Sequence, residues 1–198
     1  MYELRVEEGT QSPRPEVIEQ TSRTQFLNDE ENRIIGIGVD VISVHVLRPY
    51  ESWDGGFRKR VENALEAYIK VAKPAGLVRI GLRYLNKFKL PSEAQDLTQY
   101  FTVPVGVPNG LPNEVRSFLQ RYEFVYPDSS GQLNMTFGTL PVPNKREVLL
   151  DIDIFQDWLS ESPLPTDATL STLDDLKLRE RAAFEAMITD KTRALLDE

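Results

Sequence analysis

The sequence contains no cysteine. This absence excludes disulfides, thiolate metal sites, iron–sulfur clusters and a cysteine nucleophile. Histidine is almost absent too: His45 is the only one, so a Ser-His-Asp triad or a histidine metal site would have to be built around it. No partner for such chemistry is evident, and we interpret His45 as a structural or solvated strand residue.

Long apolar runs are also missing. No stretch approaches the roughly 20 residues that a membrane-spanning helix needs, and residues 1–10 lack the basic start and apolar segment of a signal peptide. Basic residues are outnumbered, with 23 Lys and Arg against 31 Asp and Glu, which opposes binding to phosphate backbones. We therefore expect a cytoplasmic protein with neither a membrane nor a nucleic-acid partner.

The composition is that of a globular protein, because 40% of the residues are hydrophobic and 27% are charged. A chain of 198 residues suits one domain with a real core. Residues 1–22 are polar and contain several turn formers, so we predict a loosely held arm or an edge strand there. Residues 23–198 are predicted to form a single α+β domain.

The first half of this domain begins with a predicted strand, Arg23–Asn28. One long central strand, Ile34–Leu47, is predicted next from its β-branched and apolar residues. Its period-2 pattern changes phase near Val41, which indicates a bulge or a stretch buried on both faces. An amphipathic helix follows, and Ser52 or Asp54 can cap its first turn.

The cleanest alternation in the chain runs over Leu77–Leu90, where every second residue is apolar. This pattern predicts a strand with one core face and one polar face, as in antiparallel sheets. Asn86 is the one polar residue on the apolar side, so we expect it to hydrogen-bond a neighbouring backbone. The other side carries the basic residues Arg79, Arg83 and Lys87.

The second half of the chain predicts a meander. Two apolar runs, Val115–Tyr126 and Leu133–Leu140, are separated by turn residues and predict a hairpin, and Glu147–Phe155 supplies a further strand. One side of the first run is aromatic, which indicates an aromatic core or a partner-binding face. Its members are Phe118, Tyr122, Phe124 and Tyr126.

Helices complete the pattern. A short helix is predicted at Ser92–Tyr100, and a long amphipathic helix ends the chain, with a capping box at Ser171 and Asp174 and a break at Thr189. The fold class that follows is α+β: an antiparallel or mixed β-sheet with two main helices packed on one face, the second a long C-terminal helix.

Two carboxylates on one strand are the first candidates for a site. Asp151 and Asp153 lie two residues apart, so both point to one face, as a metal pair or an acid/base couple requires. They can equally form ion pairs with Arg79 and Arg83 on a neighbouring strand. We favour the ion pairs, because no further carboxylate stands at metal-ligand spacing.

The basic residues are the second candidates, since the planar guanidinium of Arg79 or Arg83 suits an anionic ligand or a nucleotide. The residues considered for ligand binding are therefore Arg79, Arg83, Asn86, Asp151 and Asp153. No catalytic residue, no metal ligand and no cofactor is predicted.

Four segments carry a family resemblance. They are PYESW (49–53), VRIGLRYLNKFKLP (78–91), LLDID (149–153) and LDDLKLRERAAFEAMIT (173–189). In this order they resemble a sporadically distributed family of uncharacterised prokaryotic cytosolic proteins with an R-I-G-L-R-Y-[IL]-N hallmark, found here at 79–86. The family has no established activity, so the resemblance implies no mechanism.

The sequence favours a non-enzymatic protein-interaction or accessory module, whose open sheet face or edge strand meets a protein partner or a second copy of the chain. One alternative is a binder of small anionic ligands or nucleotides that uses Arg79 and Arg83. A second alternative is a metal-dependent hydrolase at Asp151 and Asp153.

Overall fold

A computed structural model describes residues 23–91, 96–104, 106, 110–111, 115–127, 131–141, 147–160 and 166–196. The architecture is α+β with antiparallel sheets and a long C-terminal helix, which confirms the predicted fold class. The chain divides into two compact units, Met1–Ala72 and Lys73–Glu198. The arm at 1–22 lies outside the described residues, and the single domain over 23–198 stays a prediction.

The first unit contains a three-stranded antiparallel sheet in the order β1-β2-β3. Its strands are β1 (Thr24–Leu27), β2 (Arg33–Ile37) and β3 (Ile42–Val46). A π-helical turn, Trp53–Phe57, leads into helix α1 (Arg58–Ala72), which packs against β3. The hydroxyl of Ser52 accepts a hydrogen bond from the Gly55 N–H at 3.0 Å, as the predicted cap requires.

The single long strand predicted at Ile34–Leu47 is wrong, because this segment is the β2–β3 hairpin. Ile37 lies opposite Ile42, and the Gly38 N–H donates to the Val41 carbonyl at 2.8 Å across the turn. The change of phase near Val41 is therefore the place where the chain reverses, not a bulge.

The second unit contains a four-stranded antiparallel sheet in the order β4-β7-β6-β5. Strand β4 covers Leu77–Lys89, β5 Leu119–Val125, β6 Gln132–Thr139 and β7 Glu147–Ser160. The predicted hairpin and meander are confirmed, since β5 pairs with β6 and β6 with β7. The described chain thus forms two sheets, where the sequence pattern suggested one.

Helix α2 (Thr166–Met187) packs against β4 and β7 of the second unit, and the short helix α3 (Asp190–Ala194) follows the predicted break at Thr189. The predicted capping box at Ser171 and Asp174 is wrong, because the helix already begins at Thr166. The core between helix and sheet is apolar. Its fully buried members include Phe137, Leu150, Ile152, Ile154 and Leu176.

The connection between β4 and β5 contains little regular structure. Residues 92–95 of the predicted short helix lie outside the described residues, and the part that follows forms a 3-10 turn, Leu97–Gln99. Among the described helices, none is long and apolar enough to cross a membrane.

Candidate interaction surfaces

One face of the second unit's sheet carries alternating charge. On this charged face, cations from β4 meet carboxylates from β7, because the register places Arg83 opposite Asp153 and Lys89 opposite Glu147. The ion pairs run diagonally between the two strands, not between directly opposite residues: Arg79–Asp153 at 3.6 Å, Arg83–Asp151 at 2.7 Å and Lys87–Glu147 at 2.5 Å. The predicted pairing of both aspartates with the arginines is confirmed.

Arg83 and Asp151 form the pair with two hydrogen bonds. Arg83 Nε donates to Asp151 Oδ1 at 2.9 Å and Nη2 donates to Oδ2 at 2.7 Å, a bidentate geometry. Hydrogen bonding to Asp151 raises the pKa of the Arg83 guanidinium, although partial burial opposes the shift. Asp151 is only 8% exposed, so Arg83 compensates a nearly buried carboxylate.

Asp153 is the less well compensated carboxylate. Burial raises its pKa above the usual value, while Arg79 and Arg83 lower it. The Arg79 guanidinium also lies 3.6 Å from the ring centroid of Phe155, a cation–π contact that competes for its orientation. At neutral pH this aspartate therefore carries a cost that the two arginines offset only in part.

These contacts bear on the predicted ligand site. An anion that binds Arg79 or Arg83 must compete with the charge of Asp153 or Asp151, which each guanidinium already contacts. Asn86 is held too, because its Nδ2 donates to the Leu150 carbonyl at 3.2 Å, as expected for a polar residue on an apolar face. Ligand binding at these residues stays a prediction.

His45 is a strand residue of the first unit. It is exposed on β3, where Nε2 lies 3.0 Å from the Ser43 hydroxyl, and desolvation together with Arg23 lowers its pKa. Within the described ranges, no three His, Asp or Glu side chains cluster closely enough to hold a metal ion.

The edge strand β5 is the second surface. Its solvent-side residues are exposed, with Leu119 at 75% and Val125 at 71%. Between them, Arg121 and Glu123 form an intrastrand ion pair at 3.0 Å. The side chains on this face of β5 are therefore, in chain order, an apolar one, a positive one, a negative one and an apolar one.

The backbone N–H and C=O groups of β5 alternate between those that bond to β6 and those that point to the open edge of the sheet. Tyr126 N–H donates to the Gly131 carbonyl, and Thr139 N–H donates to the Phe118 carbonyl, at the two ends of the β5–β6 ladder. Even-numbered residues of β5 therefore bond to β6, because hydrogen-bonded positions alternate in an antiparallel pair. The N–H and C=O groups of Leu119, Arg121, Glu123 and Val125 point away from β6, and no described strand lies beyond them.

An apolar groove of about 390 Å³ lies along the same strand, between β5 and α2. Phe124, Val125 and Tyr126 line it on the sheet side, and Ala183 and Ala186 line it on the helix side. Part of the predicted aromatic side of β5 thus opens to solvent here, since Phe124 is exposed, whereas Phe118 packs against Phe137 with ring centroids 5.3 Å apart.

Sequence reasoning missed the solvent side of β5. The signal that could have found it is the order Leu-x-Arg-x-Glu-x-Val over 119–125, read together with the aromatic residues in between. No family model matches the chain, and neither a curated protein nor a solved structure is significantly similar to it. The family resemblance of the four segments therefore stays a prediction.

Proposed function

We propose that the chain is a protein-interaction module that takes up an extended segment of a partner along β5. The observation that carries the proposal is the row of outward N–H and C=O groups at Leu119, Arg121, Glu123 and Val125. A strand added to such an edge gains main-chain hydrogen bonds, and its side chains supply specificity.

Of the devices with which proteins usually block strand addition, the described residues of β5 carry only charge. Proline, charged side chains, a bulge or a very short strand normally protects an edge, and β5 has the charges of Arg121 and Glu123 but no proline and no bulge. Strand β5 has seven residues, LQRYEFV, and pairs with β6 in unbroken register. These two charges pair with each other along the strand.

The side chains of β5 also favour a partner strand. Leu119 and Val125 are exposed apolar residues at the two ends of the strand, and a bound segment would cover both. The charged face between β4 and β7 is a weaker candidate, because its cations already hold Asp151, Asp153 and Glu147.

Site-specific photo-crosslinking tests the proposal. A benzophenone amino acid replaces Leu119, and the labelled protein is irradiated in a lysate of its own cells. We expect an adduct whose peptide maps to one extended segment. The adduct should disappear when Arg121→Pro is added, because proline removes an outward N–H without taking a hydrogen bond from β6.

The matched control carries the same label at Leu178, a leucine 69% exposed on α2. It should give no specific adduct. An absent adduct at position 119, or one that survives Arg121→Pro, would refute strand addition at β5.

A further inference from the structure

We propose that the segment taken up along β5 is β5 of a second copy of the chain, in antiparallel orientation around a twofold axis at Tyr122. This inference rests on the proposed function and names its partner. It starts from the four outward residues of β5, Leu119, Arg121, Glu123 and Val125. Their order is apolar, charged, charged, apolar from either end of the strand, and the two charges have opposite signs.

The register follows from these positions. With Tyr122 on the axis, Leu119 lies opposite Val125 of the second copy, and Arg121 lies opposite Glu123 of the second copy. All four positions have outward backbone groups, so each opposed pair can exchange two hydrogen bonds. Both exposed apolar residues are covered, and both charges gain a partner of opposite sign.

The neighbouring registers are worse. A shift of two residues in one direction places Arg121 opposite itself, and the same shift in the other direction places Glu123 opposite itself. Like charges directly opposite each other destabilise a strand pair. A shift of one residue places an outward-facing residue opposite a residue that already bonds to β6. The two strands then cannot form a continuous ladder of hydrogen bonds.

The resulting dimer is isologous, because the same patch serves both copies. Its axis is perpendicular to the sheet, so the two four-stranded sheets join into one of eight strands. The two Tyr122 residues form a non-hydrogen-bonded pair at the axis, the arrangement with the closer side chains. In this dimer, the β5 edge of each copy is covered by the other copy and can add no further strand.

Light scattering coupled to size exclusion gives the first test. The measured mass of the purified full chain should be twice the 22.6 kDa of a single chain. Arg121→Glu and Glu123→Arg should each weaken the dimer about tenfold to hundredfold, because two symmetry-related pairs become repulsive. Lys59→Glu is the control: it breaks the exposed Lys59–Glu62 pair with the same reversal of a positive charge as Arg121→Glu and should leave the dimer intact.

Charge complementation gives the second test. Mixed in equal amounts, the Arg121→Glu and Glu123→Arg variants should recover the dimer mass. In the proposed register, the carboxylate introduced at position 121 of one variant faces the guanidinium introduced at position 123 of the other, and the two unchanged charges face each other as well. Circular dichroism verifies that each variant is folded.

Two outcomes overturn the inference: a wild-type monomer, or a mixture of the two variants that stays monomeric. If position 119 still crosslinks to another protein in a proline-sensitive manner, the proposed function stands without it.

Discussion

Replacement of Arg83 by methionine removes the guanidinium that compensates Asp151 while keeping most of the aliphatic stem. Asp151 is 8% exposed and loses two hydrogen bonds, at 2.9 and 2.7 Å. Breaking a buried ion pair costs about 3–5 kcal/mol, and an exposed pair contributes about 0–1 kcal/mol. Because the Arg83 side chain is 60% exposed, we expect a loss of about 1–3 kcal/mol at neutral pH.

The same change should make stability more dependent on pH. Arg83 lowers the pKa of Asp153, so its removal raises that pKa further above the usual 3.8. A raised pKa in the folded state means stability that is present at low pH and lost as the pH rises through it. The deficit of Arg83→Met relative to wild type should therefore shrink as the pH falls towards 4.

Urea denaturation of both proteins between pH 4 and 8 measures these effects, and Lys59→Met, which removes an exposed cation of α1, is the control. Its stability should stay within about 0.5 kcal/mol of wild type, as for most surface changes. If Arg83→Met is as stable as wild type at pH 7, or its deficit does not change with pH, the ion-pair account of the charged face is refuted.

Three further changes test the second unit. Glu180 is buried beside Lys177, and burial raises its pKa above 4.5. The free energy of unfolding of wild type should therefore fall relative to that of Glu180→Gln as the pH rises from 4.5. The same pH dependence for both proteins in urea denaturation would contradict this. Gly81→Ala would place a Cβ 2.9 Å from Phe155 Cβ, and urea denaturation should show a loss of about 1–3 kcal/mol. Ile152→Ala leaves a cavity at a fully buried position, and calorimetry should show a loss of stability of about 2–5 kcal/mol. An unchanged stability would contradict the assignment of Ile152 to the core.

Local patterns predicted the strands that have one core face. The alternation over Leu77–Leu90 places Ile80, Leu82 and Phe88 in the core, because side chains of a strand point to opposite faces in turn. The same pattern placed the basic residues on the other face, and opposite charge on β7 was enough to predict the ion pairs.

Patterns without such a contrast were less informative. The hairpin of β2 and β3 was read as one strand because both strands are β-branched and apolar, and its turn at 38–41 has a valine on each side of Asp40. The start of α2 was misplaced because Ser171 and Asp174 fit a capping box equally well inside a helix that begins earlier.

The position of β5 at a sheet edge could not be read locally. Strand order depends on the pairing of β4 with β7, which joins residues distant in the chain, such as Arg83 and Asp151, 68 positions apart. Only this non-local pairing puts β7 inside the sheet and leaves one side of β5 without a partner among the described strands.

Amide hydrogen exchange at single-residue resolution tests most directly whether β5 takes up a strand. At concentrations where the chain is dimeric, the amides of Leu119, Arg121, Glu123 and Val125 should exchange about as slowly as those of even-numbered β5 residues. Dilution, or Arg121→Pro, should return the outward amides to fast exchange while the even-numbered amides stay protected by β6. If the outward amides exchange fast at every concentration and in a lysate of the same cells, strand addition at β5 is contradicted.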